Sequence, residues 1–325
     1  MDSILTSVLF LDFVVAIVLA IVLAKGPSKR RNVYAPFAAS LVVAALAGFA
    51  AGYPVLYLAG AAAFALLASL LAICYATSAR SFLALLAFTA LQLVYMVLAG
   101  VPILSMFTLG FAVGTFFGVL YIEKAMKREN SFRRNKKLEI NRDIFEIALG
   151  AVALFILAIF RGAFPYIMVA LILIAYAYNS VARKMDKGFL GSVSHALNGL
   201  ERKDAVYGTG ALYLAVGFML MLSFIHSYSF LAFGIIVLVI ADSAATIVGK
   251  CCRIASLPYN KAKSLGGFIG FFFVSAAGGY IVFGALLPVL ACSLALAFLE
   301  SLDLRVDDNV LLSIGVIALY ALQIL

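Results

Sequence analysis

The chain has 325 residues, 66% of them hydrophobic and 12% charged, and a mean hydropathy of +1.14. So few polar residues do not cover a water-soluble globule of this size, and the composition predicts a polytopic membrane protein. The net charge of +9 is read as membrane topology rather than as affinity for nucleic acid, because no nucleic-acid motif accompanies it.

A membrane-crossing helix needs ~20 apolar residues, and about twelve such runs occur along the chain. They begin near Ile4, Ala35, Val55, Ser81, Val101, Ile144, Ala163, Val206, Ser229, Leu265, Gly284 and Val310. The runs are continuous rather than alternating, so the predicted fold is an all-α bundle of transmembrane helices and not a barrel. The first run is read as a membrane helix and not a signal peptide, since Met1 to Thr6 carries Asp2 and no basic residue. Asp12, midway in that run, is expected to bond within the bundle. Residues 1–122 form an accessory bundle almost without charge. The basic loop 123–143 is expected at a cytoplasmic lipid surface. Residues 144–325 hold the polar islands capable of chemistry and are read as the catalytic transmembrane domain. The four cysteines have no metal-ligand spacing and predict neither a disulfide framework nor a zinc site.

If the spans alternate, segments 25–34, 77–81, 123–143, 183–205, 250–264 and 301–309 share one side. That side holds 23 of the 24 Lys and Arg residues, and only Arg161 lies opposite. The positive-inside rule makes the crowded side cytoplasmic and places both termini outside. His195 and His226 are expected to be solvated.

Three polar islands fall on the cytoplasmic side. The first holds Glu201, Arg202, Lys203, Asp204, Tyr207, Gly208 and Gly210. The second runs from Asp242 to Gly270, with Lys250, Arg253, Lys261 and Lys263 in a fifteen-residue interruption between apolar runs. The third supplies Glu300, Asp303, Asp307, Asp308 and Asn309. Together they bring seven carboxylates and seven cations to one face. Like charges that close cost energy unless a divalent ion offsets them. An acid in VLVIADSAATIVG costs ~3 kcal/mol at mid-bilayer unless it faces a polar cavity, so Asp242 is the sharpest candidate. The pattern predicts a Mg-nucleotide site without a P-loop or a protein-kinase signature. Backbone amides after Ser264-Leu265-Gly266-Gly267 are then expected to meet a phosphate.

Asp242, Ala245, Gly249, Lys263, Ser264 and Gly267 resemble the D-x-x-A-x-x-x-G … K-[ST]-x-x-G pattern of the CTP-dependent lipid kinases: dolichol kinase, phytol kinase and CTP-type diacylglycerol kinase. Glu300 to Val310 is similar to the closing motif of that family, and Glu201 to Tyr213 roughly matches another of its segments. The resemblance covers about residues 142–325. Three departures stand out: Glu146 where the family has His, Arg253 in place of a glycine, and no proline after Asp307-Asp308-Asn309-Val310. The resemblance implies a multi-pass enzyme of a prokaryotic plasma membrane or the endoplasmic reticulum, with its active site on the cytoplasmic face. It would transfer phosphate from CTP to a long-chain, dolichol-type prenyl alcohol. Lys250, Arg253, Lys261, Lys263, Ser264, Gly266, Gly267 and Arg202 would bind nucleotide, and Asp242, Asp307, Asp308 and Glu300 would hold Mg²⁺. Asp242 or Glu201 would accept the alcohol proton. Alternatives are a phytol, geranylgeraniol or diacylglycerol kinase, a lipid cytidylyltransferase, and a transporter.

Overall fold

The computed structural model describes residues 104–126, 136–182 and 209–325, apart from Arg253, Asp303 and Arg305, together with Ala68. The expected spans starting near Ile4, Ala35, Val55 and Ser81 lie outside them. So do Glu201, Arg202, His195 and residues 127–135 of the basic loop.

The described residues are helical, with no strand among them and a bridge between Ser256 and Ser264. In chain order the helices are α1 (Leu104–Met126), α2 (Lys136–Ile159), α3 (Phe164–Ala182), α4 (Thr209–Phe224) and α5 (Tyr228–Ile235). A π-helical stretch, Ile236–Ala241, continues α5 into α6 (Asp242–Cys251). Beyond it come α7 (Leu265–Phe283), α8 (Leu286–Ser301) and α9 (Asp308–Ala321). The continuous helix Tyr228–Cys251, 24 residues at mean hydropathy 2.4, and α7, 19 residues at 1.8, are long and apolar enough to cross a membrane. At 1.5 Å per residue they span about 36 and 28 Å, against a hydrocarbon core of ~30 Å.

Most apolar runs start where expected, to within about three residues, and the caps explain the differences. Gly284 does not open a helix. Its φ of 71° ends α7 in the left-handed conformation, and the next helix starts at Leu286. Asp307 caps α9, moving that start ahead of Val310. α2 begins at Lys136, eight residues before the apolar run at Ile144, because the polar turns between them are helical too.

Two compact units emerge. One comprises 1–132, 169–198 and 203–219; the other comprises 133–168, 199–202 and 220–325. In the first, Phe107 stacks on Phe111 at 5.5 Å and Phe116 meets Tyr213 edge-on at 6.2 Å. In the second, Phe230 packs edge-on against Phe283 at 5.1 Å and Tyr320 at 5.0 Å. Apolar side chains also face outward: Ile281 is 83% exposed, Leu287 78% and Phe155 65%. Such a surface suits lipid rather than water.

The π stretch is the least regular part of the second unit and is bracketed by glycines. The amide of Asp242 donates to the carbonyl of Val237, five residues back, which widens the helix. A Cβ on Gly278 of α7 would lie 2.6 Å from Ile236 Cγ2, and one on Gly150 of α2 would lie 3.1 Å from both Val239 and Ile240. Small residues on both neighbours thus admit the wide turn. Gly278→Val is expected to destabilise the protein by about 1–3 kcal/mol through overpacking. Gly162→Ala, where the added carbon meets nothing within 4 Å, is expected to be near neutral. Thermal unfolding of both variants in detergent checks this.

Candidate functional site

Asp242 adjoins the π stretch directly, more than halfway along the Tyr228–Cys251 helix. Its carboxylate lies within 4.8 Å of those of Glu300, at the end of α8, and Asp308, at the start of α9. Glu300 is 4% exposed. The antiparallel course of α7 and α8 brings the loops 252–264 and 302–307 to the same end of the unit, where these acids meet.

Lys263 closes the group. Its Nζ donates to Glu300 Oε1 at 2.5 Å and to Asp308 Oδ2 at 2.9 Å. Burial alone would lower the pKa of this lysine, but the charges of Glu300, Asp308 and Asp242 outweigh that cost and hold it above the ordinary lysine value. Lys263 is therefore a fixed cation at neutral pH.

The fifteen-residue interruption is an ordered loop pinned to α8. The buried amide of Asn260 donates to the Ser301 carbonyl at 3.0 Å, and the Tyr259 hydroxyl lies 2.7 Å from Ser301 Oγ. Asn260 also turns the chain toward the lysine, with Oδ1 accepting from the Ala262 amide and its carbonyl accepting from the Lys263 amide. Leu257 and Leu265 donate to the carbonyls of Lys263 and Ala255. These bonds fix the backbone on both sides of Lys263.

Ser264 then caps α7, its hydroxyl accepting from the Gly267 amide at 3.1 Å. The amides of Leu265, Gly267 and Phe268 are thus already bonded to Ala255, Ser264 Oγ and the Ser264 carbonyl. The glycines serve a close crossing of α6 and α7. A Cβ on Gly266 would collide with the Cys252 carbonyl, one on Gly267 would lie 3.0 Å from the Ala245 carbonyl, and one on Gly249 would lie 2.9 Å from Ser264 Oγ. Ala245, Gly249, Ser264 and Gly267 of the sequence pattern have this contact in common.

A second polar group joins α2 to α6. Asp143, fully buried, accepts from Arg142 at 2.7 Å and from Lys250 at 3.2 Å. Arg142 Nε also lies 3.3 Å from Glu146 Oε1, an ion pair without hydrogen-bond geometry, while Ser243 Oγ donates to Glu146 Oε2 at 3.2 Å. Ser243 is the neighbour of Asp242 in sequence.

Of the expected site residues, Asp242, Glu300, Asp308 and Lys263 come together. Asp307 is not in this group. Its Oδ1 accepts from the backbone and side-chain nitrogens of Asn309, both at 3.0 Å, as a helix cap. Lys250 turns to Asp143, Lys261 is exposed in the loop, and Ser264, Gly266 and Gly267 build the start of α7. Arg253, Arg202 and Glu201 lie outside the described residues. Sequence reasoning did not select Asp143, Ser243, Tyr259, Asn260 or Ser301. An Arg-Asp-x-x-Glu run at the polar start of an apolar helix was the available signal for Asp143.

An uncharacterised protein of Methanocaldococcus jannaschii is 29% identical over 183 residues, covering 54% of this chain and 88% of that protein. No protein-family model and no solved structure matches the chain.

Breaking the Asp143–Lys250 pair from one side leaves a desolvated charge. Asp143→Asn is expected to cost about 3 kcal/mol or more. Asp143→Asn combined with Lys250→Met is expected to recover part of that loss, giving a coupling of about 1–3 kcal/mol in a double-mutant cycle of unfolding free energies.

Proposed function

We propose that the chain is a CTP-dependent lipid-alcohol kinase of the membrane, phosphorylating a dolichol-type polyprenol. One observation carries the reading: the acid of the first motif segment, the lysine of the second and two acids of the closing segment, distant in sequence, share one group. The likeness to the CTP-dependent lipid kinases supplies the reaction, and the two long apolar helices suit a substrate whose chain stays in lipid.

Asp242, Glu300 and Asp308 offer the hard oxygen donors that Mg²⁺ prefers, so the residues fit the ion. Bound there, Mg²⁺ would neutralise phosphate charge and orient the nucleotide. Lys263, which the structure holds between Glu300 and Asp308, would add its ammonium to the phosphate charge, and Lys261 and Arg253 would add positive charge from the same segment of sequence. The alcohol oxygen attacks the γ-phosphorus, the bond to the bridging oxygen breaks, and CDP leaves. Asp242 accepts the hydroxyl proton. Twelve spans, with the 252–264 and 302–307 loops on the cytoplasmic face, complete the proposal.

Purified protein supplied with CTP and dolichol tests it. Label from the γ-phosphate enters the lipid if the reading holds. Entry of α-label instead identifies a cytidylyltransferase, and entry of neither rejects both. Asp242→Asn is expected to remain folded and lose at least about 100-fold in kcat, the scale of a lost general base. Lys263→Gln, which leaves three carboxylates without their ammonium, is expected to make the thermal unfolding temperature rise on adding millimolar Mg²⁺. The absence of a Mg²⁺-dependent rise in both this variant and the wild type would remove the metal from the scheme.

A further inference from the structure

At the opposite end of the second unit, the α2–α3 turn and the α4–α5 turn border an open cavity of about 470 Å³. Arg161, His226, Ser227, Tyr228 and Ser229 line its polar side. Its other wall is apolar, formed in part by Leu154, Leu157 and Val282. Among the described residues, no acidic side chain lines it.

Arg161 is conspicuous on charge grounds. It is the one Lys or Arg that the alternating-span reading places away from the cytoplasmic side. A cation there opposes the positive-inside bias, and the described lining offers it no carboxylate. An arginine fork in a lining with hydroxyls suits a phosphate, which a guanidinium can hold through two parallel hydrogen bonds. Ser227 sits at the amino end of α5, where the helix dipole also favours an anion. With polar and apolar residues in one lining, the cavity fits a molecule that is anionic at one end and hydrocarbon at the other.

We propose that this cavity binds the phosphate headgroup of an anionic membrane lipid from the leaflet opposite the acidic site. Arg161 and His226 face the phosphate, the Ser227, Tyr228 and Ser229 hydroxyls donate to its oxygens or to the headgroup, and an acyl or prenyl chain lies against Leu154, Leu157 and Val282. The proposal rests on the membrane reading of the helices and not on the kinase reading, so a failed CTP assay leaves it standing.

Native mass spectrometry of the full chain in neutral detergent tests it, with titration by phosphatidylglycerol, phosphatidylcholine and inorganic phosphate in separate arms. The first phosphatidylglycerol is expected to bind about tenfold more tightly than phosphatidylcholine, and Arg161→Ala is expected to remove most of that preference. Arg161→Lys should keep part of it, as a point charge without the fork. His226→Ala is expected to weaken the same step and keeps the test decisive if Arg161→Ala does not fold. Unchanged binding in folded Arg161→Ala, or equal affinity for the two lipids, overturns the proposal. Inorganic phosphate binding as tightly as phosphatidylglycerol, and lost in Arg161→Ala, would assign the cavity to a free anion and reject the lipid.

Discussion

Negative charge held at one end of an apolar helix bundle is the constraint on which the second unit depends. Two carboxylates about 4 Å apart repel by ~4 kcal/mol at an effective dielectric of 20, and here three lie within 4.8 Å of one another. Lys263 supplies one positive charge to them. Its ion pairs also tie the loop before α7 to the end of α8 and the start of α9, beside the Tyr228–Cys251 helix. With all three acids ionised, negative charge exceeds positive among these four side chains. Lys263 offsets part of that repulsion, and burial raises the pKa of Glu300, which offsets more of it.

The helices are shaped to permit that meeting. Ala245 and Gly249 let α6 approach Gly267 at backbone distance, which carries the Lys263 segment toward Asp242. On the amino-terminal side of Asp242, the π stretch adds a residue to the turn and so rotates α6 relative to α5. Gly150 and Gly278 provide the space. The small residues of the sequence pattern therefore act first on helix approach, and through it on the positions of the charges.

Much of this was legible because membrane helices penalise polar residues. Asp242 stands out in an apolar run, and Glu300 and Asp308 stand out beside theirs, so the acids that meet could be selected without coordinates. Apart from α2, which starts eight residues early, the described helix starts were legible to within a turn, and the misplacements at Gly284 and Val310 arose at caps, where a glycine or an aspartate belongs to the boundary rather than the helix. Partner choice was not legible. Lys250 and Lys263 look alike as cations in one loop, yet one reaches Asp143 across 107 positions and the other reaches Glu300 across 37. Asp307 and Asp308 are adjacent and identical in chemistry; the first is consumed as a cap because its side chain folds back onto Asn309, and the second is thereby directed to Lys263.

The Arg142–Glu146 segment extends this logic to a departure from the lipid-kinase pattern. A histidine at position 146 would offer a neutral or weakly cationic ring, whereas Glu146 places an anion between Arg142 and Ser243. Arg142 balances it and also bonds Asp143, which in turn holds Lys250. A chain of polar contacts therefore runs from the polar start of α2 to both ends of α6. One end of that chain is Ser243, next to Asp242. Glu146 thus ties the backbone that carries Asp242 to a buried ion pair, so the orientation of Asp242 is constrained from the α2 side as well as by Lys263.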